Sequence, residues 1–286
     1  MADQALNAWD WHSAWLAPAK LNLFLHVVGR RADGYHLLQT VFRFIDRADT
    51  LRFAPRQDGD IRLLTPIPGV PPEQDLTVRA ARRLQAESGC RQGANITLKK
   101  RLPMGGGLGG GSSDAATVLL ALNHLWRLGL STERLQQIGL ALGADVPVFI
   151  GGENAFAEGI GEALKPVLLP PAWYLVAEPA VQVPTAAIFG VPELKRDTPA
   201  INFAKWQPGW GDNDLEAVAC KRFPAVAEAL GLLRQFAPAR MTGSGACVFA
   251  EFASAAEAEL VLARLPENLP AWVAEGLPCH PLSRLT

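Results

Sequence analysis

The sequence predicts an α+β protein built in two parts. Three observations carry that expectation: strand-like and helix-like stretches are interleaved along all 286 residues, a glycine run opens directly into a helix-patterned segment, and a proline cluster splits the chain a little past its middle. Hydrophobic residues make up 49% of the chain and charged ones 19%, enough apolar material for a sizeable core and too little charge for extended disorder. The formal charge of −1 lacks the basic excess of nucleic-acid binders, so no nucleic acid is expected as partner.

The chain opens on a leader carrying Trp9, Trp11 and Trp15, read as an extension over residues 1–15. Residues 20–28 (KLNLFLHVV) then alternate well enough to predict a strand. Residues 29–35 (GRRADGY) are turn chemistry, and apolar, β-branched stretches at 37–45 and 50–53 predict further extended structure. Gly59 and the prolines between 66 and 72 mark connections. Apolar spacing predicts a helix over 76–86, and residues 95–100 a strand that delivers the chain into the glycine run. Ser112, Ser113 and Asp114 are good helix N-caps, residues 115–127 are rich in helix formers, and Gly129 can end that helix. Ser131 or Thr132 caps a second helix to about residue 142, which Pro147 breaks by disfavouring the α conformation at Val146. Short pieces at 149–150, 154–157 and 160–164 complete the first part.

Lys165, Pro166, Pro170 and Pro171 mark the expected boundary between domains at 1–165 and 166–286. Beyond it, strands are predicted at 173–177, 247–252 and 272–275, with helices at 214–220, 225–235 and 255–265. Cys90, Cys220, Cys247 and Cys279 lie far apart without a CxxC pair or zinc spacing and read as free thiols. The acidic N-terminus is unlike a secretory signal and no run approaches the ~18 apolar residues of a membrane helix, so a cytoplasmic protein with no membrane partner is expected.

The chemistry concentrates in residues 103–114 (PMGGGLGGGSSD), where six of twelve residues are glycine. Glycine admits positive φ and close backbone approach, so successive N–H groups can converge on phosphate oxygens while the helix behind adds its dipole. A Walker pattern fails because Ser112 and Ser113 stand where its lysine belongs. Gly105, Gly107 and Gly110 spell GxGxxG, but the acid expected some 20 residues on would be Glu133, at a helix start rather than a strand end. The run instead resembles the phosphate loop of the GHMP kinases, a family acting on galactose, homoserine, mevalonate and phosphomevalonate. Residues 17–25 (APAKLNLFL), 30–36 (RRADGYH), 142–149 (LGADVPVF), 213–216 (NDLE) and 241–250 (MTGSGACVFA) extend the likeness over nearly the whole chain from about residue 16. They are similar to the branch of that family that phosphorylates a cytidine diphosphate-linked methylerythritol in the non-mevalonate isoprenoid pathway. Thr242, where serine is common, is a departure without effect on the chemistry.

The resemblance implies a two-domain GHMP kinase fold, with a ribosomal-protein-S5-domain-2-like first half and a ferredoxin-like second half. It implies an ATP-dependent kinase acting on a 2-hydroxyl, with Lys20 and Asp145 at the reacting centre, Asp145 taking the hydroxyl proton. ATP as co-substrate would lie on Pro103, Met104, Gly105, Gly106, Gly107, Leu108, Gly109, Gly110, Gly111, Ser112 and Ser113. Mg²⁺ would come mainly through ATP oxygens and water, with no protein ligand assigned, and Asp114 is read as a helix-start residue. Asn22 would sit near the polyol or its diphosphate, His36 would hydrogen-bond the cytosine edge through its backbone or its ring, Tyr35 would stack on the base with Phe189 opposite or nearby, and Gly243 and Ser244 would form a second tight loop beside the first. Partners are the two small-molecule substrates, and a monomer or weak dimer is expected. Two rivals remain: another alcohol acceptor, which has no base for Tyr35 and His36 to hold, and a non-catalytic nucleotide-binding protein, which has no use for Lys20 with Asp145.

Overall fold

A computed structural model describes residues 9–285 and contains two β-sheets. In the first, β1 (Trp15–Arg30) and β2 (His36–Arg56) form a long antiparallel hairpin, from Trp15 opposite Leu51 to Arg30 opposite His36. The second half of β2 pairs with β4 (Gly93–Lys99), which carries β3 (Ile61–Leu63) in parallel on its far side. The first half of β2 pairs through Thr40–Phe42 with β5 (Ala155–Glu158), followed by β6 (Ala163–Pro166). The two apolar stretches expected at 37–45 and 50–53 are thus one continuous 21-residue strand. Polar Asp46 and Arg47 between them fall at a register shift, left unpaired between Ile45 opposite Ala19 and Ala48 opposite Pro18, a bulge that interrupts the ladder without ending the strand.

Four helices cover this sheet: α1 (Leu76–Ser88), α2 (Gly110–Leu125), α3 (Thr132–Leu140) and α4 (Val146–Gly151). Helix α1 is capped by the Asp75 carboxylate, which accepts from Thr77 N, and ends on left-handed Gly89. Helix α2 is the central one, with every residue from Ser113 to Leu122 buried. Its start differs from the expectation at residues 112–114: Gly109, in the left-handed region at φ 72°, takes the N-cap position, and the helix begins at Gly110 with no side-chain cap. Helix α4 is a second difference. Pro147 does not exclude helix at Val146, because the proline falls in the first turn, where its missing N–H has no intrahelical partner to lose.

The second sheet has the order β10-β7-β9-β8, from β7 (Trp173–Ala177), β8 (Ala239–Met241), β9 (Val248–Phe252) and β10 (Ala271–Glu275). All its pairings are antiparallel. Numbered within this half, the order is 4-1-3-2, the βαββαβ arrangement of a ferredoxin-like unit. Its helices are α5 (Thr185–Phe189), α6 (Glu216–Arg222), α7 (Pro224–Leu233) and α8 (Ala255–Leu262). Residues 276–285 return to the first sheet. Leu277 N donates to Phe44 O at 2.8 Å, His280 N to Gly152 O at 2.8 Å, and Leu282 is buried in the core beneath α2.

Trp15, placed in the leader from sequence, is fully buried at the start of β1, with the Trp9 ring tilted against it at a centroid distance of 4.8 Å. Trp9, Trp11 and Trp15 of the leader therefore pack into the core of the first sheet, and residues 1–8 lie outside the described chain. All four cysteines are free thiols.

Candidate active site

One cavity of about 1050 Å³ runs between the hairpin β1–β2, the glycine run and the loop of Gly243. It stands at the upper limit of roughly 300–1,000 Å³ for a single-ligand pocket, which leaves room for two small molecules side by side. Lys20 and Asn22 reach it from the middle of β1, Tyr35 and His36 from the hairpin tip, Asp145 from the N-terminus of α4, and Phe189 from the C-terminus of α5.

The glycine run is shaped by contact with its neighbour. Ala246 N donates to Gly105 O and Cys247 N to Gly106 O, both at 3.1 Å, so the two glycine loops pair backbone to backbone. At Gly107, φ is 75° and a Cβ would stand 2.1 Å from the Thr242 carbonyl oxygen. At Gly109 it would meet Phe149 at 3.0 Å and Lys20 Cε at 3.1 Å. Gly107 has no space for a side chain, and at Gly109 Phe149 and Lys20 would have to give way. Asn213 holds the second loop from beneath, donating at 2.8 Å to the carbonyls of both Met241 and Gly243. Ser244 Oγ lies 2.8 Å from Thr185 Oγ1 at its rim.

Lys20 is 2% exposed and committed on several sides. Its Nζ donates to Gly107 O at 2.9 Å and to Asn22 Oδ1 at 2.5 Å, and stands 3.4 Å from Asp145 Oδ2. Asn22 is fixed in turn, its Nδ2 donating to Thr40 Oγ1 at 2.9 Å and its amide N to Thr242 Oγ1 at 3.0 Å. Asp145 makes no side-chain cap to α4, and its carboxylate is a third exposed to the cavity. The arrangement sets a carboxylate, backed by an anchored ammonium, against the glycine run.

Of the residues expected to hold the nucleotide, Pro103 through Ser112 line this wall and Ser113 does not. Ser113 is fully buried with an unpartnered hydroxyl, because one residue along a helix turns the side chain by about 100° from the cavity to the core. Asp114 is buried as well, and its Oδ2 accepts from Lys100 Nζ at 2.8 Å while the same ammonium contacts Asp49. Burial, with the Asp49 charge alongside, pushes the Asp114 carboxyl up to about 7 against the opposing pull of Lys100. Asp49 also receives Leu102 N at 2.9 Å, tying β2 to the start of the glycine run.

At the other end Tyr35 is 60% exposed, and Phe189 packs against the His36 ring, centroids 4.9 Å apart, rather than opposite Tyr35. Arg196 Nε donates to His36 Nε2 at 3.0 Å. Burial foremost, with the Arg196 charge behind it, lowers His36 from the ordinary histidine range. Sequence reasoning missed Arg196, which lies in none of the motifs, and Lys100, which read only as the end of a strand. It also missed the apolar arm beyond the glycine run, where Ile67, Val70 and Leu76 line the cavity with Gln74. Only the strand-end position of Lys100, just ahead of the run, could have singled it out.

Residues 75–153 match the family described as GHMP kinases N terminal domain, and residues 202–271 match GHMP kinases C terminal. A 4-diphosphocytidyl-2-C-methyl-D-erythritol kinase from Dechloromonas aromatica (strain RCB) is 71% identical over 273 residues, covering 95% of this chain and 100% of the relative. One from Thiobacillus denitrificans (strain ATCC 25259 / T1) is 61% identical, covering 94% and 97%. A crystal structure of 4-(cytidine 5'-diphospho)-2C-methyl-D-erythritol kinase superposes with a TM-score of 0.80 at 36% identity, over 92% of this chain and 99% of the other. A mevalonate kinase structure at 14% identity, TM-score 0.65, shares the fold.

Proposed function

Because the chain belongs to the 4-diphosphocytidyl-2-C-methyl-D-erythritol kinases of the GHMP kinase family, we propose that it transfers the γ-phosphoryl group of ATP to the 2-hydroxyl of that cytidine-linked polyol. The observation that carries this reading is Asp145 and Lys20 set against the glycine run within one cavity large enough for both substrates. Phosphoryl transfer has a loose transition state, so catalysis is mainly positioning and charge neutralisation. The N–H groups of residues 105–112 hold the triphosphate, and the apolar arm at Ile67, Val70 and Leu76 takes the adenine. Asp145 orients the acceptor hydroxyl and accepts its proton as the bond to phosphorus forms. Lys20, held by Asn22 and Gly107, directs its remaining N–H toward that carboxylate and the transferring group.

Mg²⁺ fits the donors of this wall, which are oxygens: the Ser112 hydroxyl, loop carbonyls and the Asp145 carboxylate. Mg²⁺ binds chiefly through phosphate oxygens and water and needs few protein ligands. Ser112 would hold it, and bound with ATP it supplies charge neutralisation at the phosphate oxygens. Tyr35 stacks on the cytosine while His36 meets the base edge. The test is ATP consumption with Mg²⁺ across a panel of acceptors: the cytidine-linked polyol, homoserine, mevalonate and galactose. Turnover with any of the last three at the rate of the first would overturn the assignment.

A further inference from the structure

Arg196 lies in none of the motifs that point to the kinase, yet it joins the two walls of the base end of the cavity. Its Nε donates to His36 Nε2 at 3.0 Å. Nη1 donates to the carbonyls of Leu194 at 2.8 Å and Pro192 at 3.3 Å, and Nη2 to those of Val191 at 2.6 Å and Phe189 at 3.0 Å. A guanidinium has five N–H donors in a planar fork and no acceptor, so every donor is committed. Four of them hold the backbone that carries Phe189, and the fifth holds the ring that Phe189 packs on.

The chemical consequence falls on His36. The Arg196 Nε always bears its hydrogen, so His36 Nε2 must supply a lone pair to receive it. A neutral imidazole then carries its proton on Nδ1. The doubly protonated ring is disfavoured by burial and by the adjacent guanidinium, which both act to lower His36. Among the described residues Nδ1 has no hydrogen-bond partner, and His36 lines the cavity.

We propose that Arg196 is a positioning residue that fixes His36 as the Nδ1–H tautomer, so that the ring meets the nucleobase as a hydrogen-bond donor. The proposal rests on the reading that this end of the cavity holds cytosine. O2 is an acceptor in both bases, but N3 is an acceptor in cytosine and an N–H in uracil, so a ring locked as donor and facing N3 pairs with the first and opposes the second. An imidazole free to exchange its proton between nitrogens would serve either base. Specificity for cytosine over uracil is thus placed in a side chain that touches neither.

Two measurements on the full-length protein test this. Long-range ¹H–¹⁵N spectra of histidine-labelled protein should show His36 with its proton on Nδ1 in the wild type, and a shift toward Nε2–H in Arg196→Met. Inhibition of ATP turnover by CDP and by UDP should differ by at least about tenfold in the wild type, and that ratio should collapse toward one in Arg196→Met. In that variant KM for the cytidine-linked acceptor should rise at least ten times more than kcat falls, with KM for ATP unchanged. An Nε2–H tautomer in the wild type overturns the proposal, as does a CDP-to-UDP ratio that survives Arg196→Met. If Arg196→Met does not fold, the wild-type spectrum still decides the tautomer. Absence of turnover with the cytidine-linked acceptor in the wild type would instead remove the functional reading, leaving the tautomer to be judged by the spectrum alone.

Discussion

Lys20 Nζ stands 3.4 Å from Asp145 Oδ2 while the Gly107 carbonyl and the Asn22 amide oxygen hold it from the other side. The ammonium links the glycine run to the Asp145 carboxylate, and its position is set by the backbone of that run as much as by β1. Replacing Asp145 with Asn keeps the shape and removes the proposed proton acceptor. Turnover should fall by about 10²–10⁴, the usual contribution of general base catalysis. ATP binding, followed by equilibrium titration, should change less than threefold. Turnover within tenfold of the wild type would show that Asp145 has no catalytic part.

Gly107 tests the pairing of the two glycine loops. Alanine there would be forced into the left-handed region, at about 1–2 kcal/mol, and its methyl would press on the Thr242 carbonyl oxygen 2.1 Å away. Gly107→Ala should lower the melting temperature by several degrees and weaken ATP binding at least tenfold. Gly129→Ala, with open space at its Cβ, is the control: it carries only the φ penalty and should leave ATP binding intact.

Tyr35 is 60% exposed, so Tyr35→Ala should leave the melting temperature within about 2 °C of the wild type. A base stack is worth roughly 1–3 kcal/mol, which converts to an acceptor KM some 5- to 150-fold higher. KM for ATP should not move. Equal effects on both substrates would show that the hairpin tip closes the whole cavity rather than gripping the base.

His280 is buried between Phe44 and Phe149, and burial pushes its imidazole down to about 3 from the ordinary 6.5. The unfolded chain therefore takes up a proton that the folded chain refuses. Stability is fully present above pH 6.5 and is lost as pH falls from there toward 3, by up to about 1.4 kcal/mol per pH unit. Denaturant unfolding of His280→Gln at a series of pH values should give lower stability at pH 7 and a visibly flatter decline between pH 6 and 4. An unchanged slope would assign the acid sensitivity to other groups.

How far the sequence reveals this architecture depends on what each residue answers to. Helix α1, helix α3 with its Ser131 cap, and strands β7 and β10 obey local rules, and their spacing and caps suffice to find them. The start of α2 does not, because Gly109 rather than a serine turns the chain, a role set by Phe149 and Lys20 crowding that position. Helix α4 was hidden behind Pro147, whose effect depends on where in a helix it falls. In the site, Lys20 and Asp145 stand out only because the stretches around them resemble known ones. Their own types and spacing would read as a strand lysine and a turn aspartate. Arg196 sits in a charged segment, ELKRD, whose letters describe a solvated loop, and its bond to His36 exists only through a partner 160 positions away.

The return of residues 276–285 to the first sheet bears on biosynthesis. Asn154 Nδ2 donates to the carbonyls of Leu277 and Pro278 at 2.8 and 3.0 Å, and Leu282 fills part of the core beneath α2, the helix that opens from the phosphate loop. A ribosome that has finished β6 has delivered every strand of that sheet and still lacks the wedge that seals it. The nascent first half must wait, with apolar surface open, while more than a hundred further residues are made. Cutting the gene at the proline cluster would yield two fragments, the first missing its own plug.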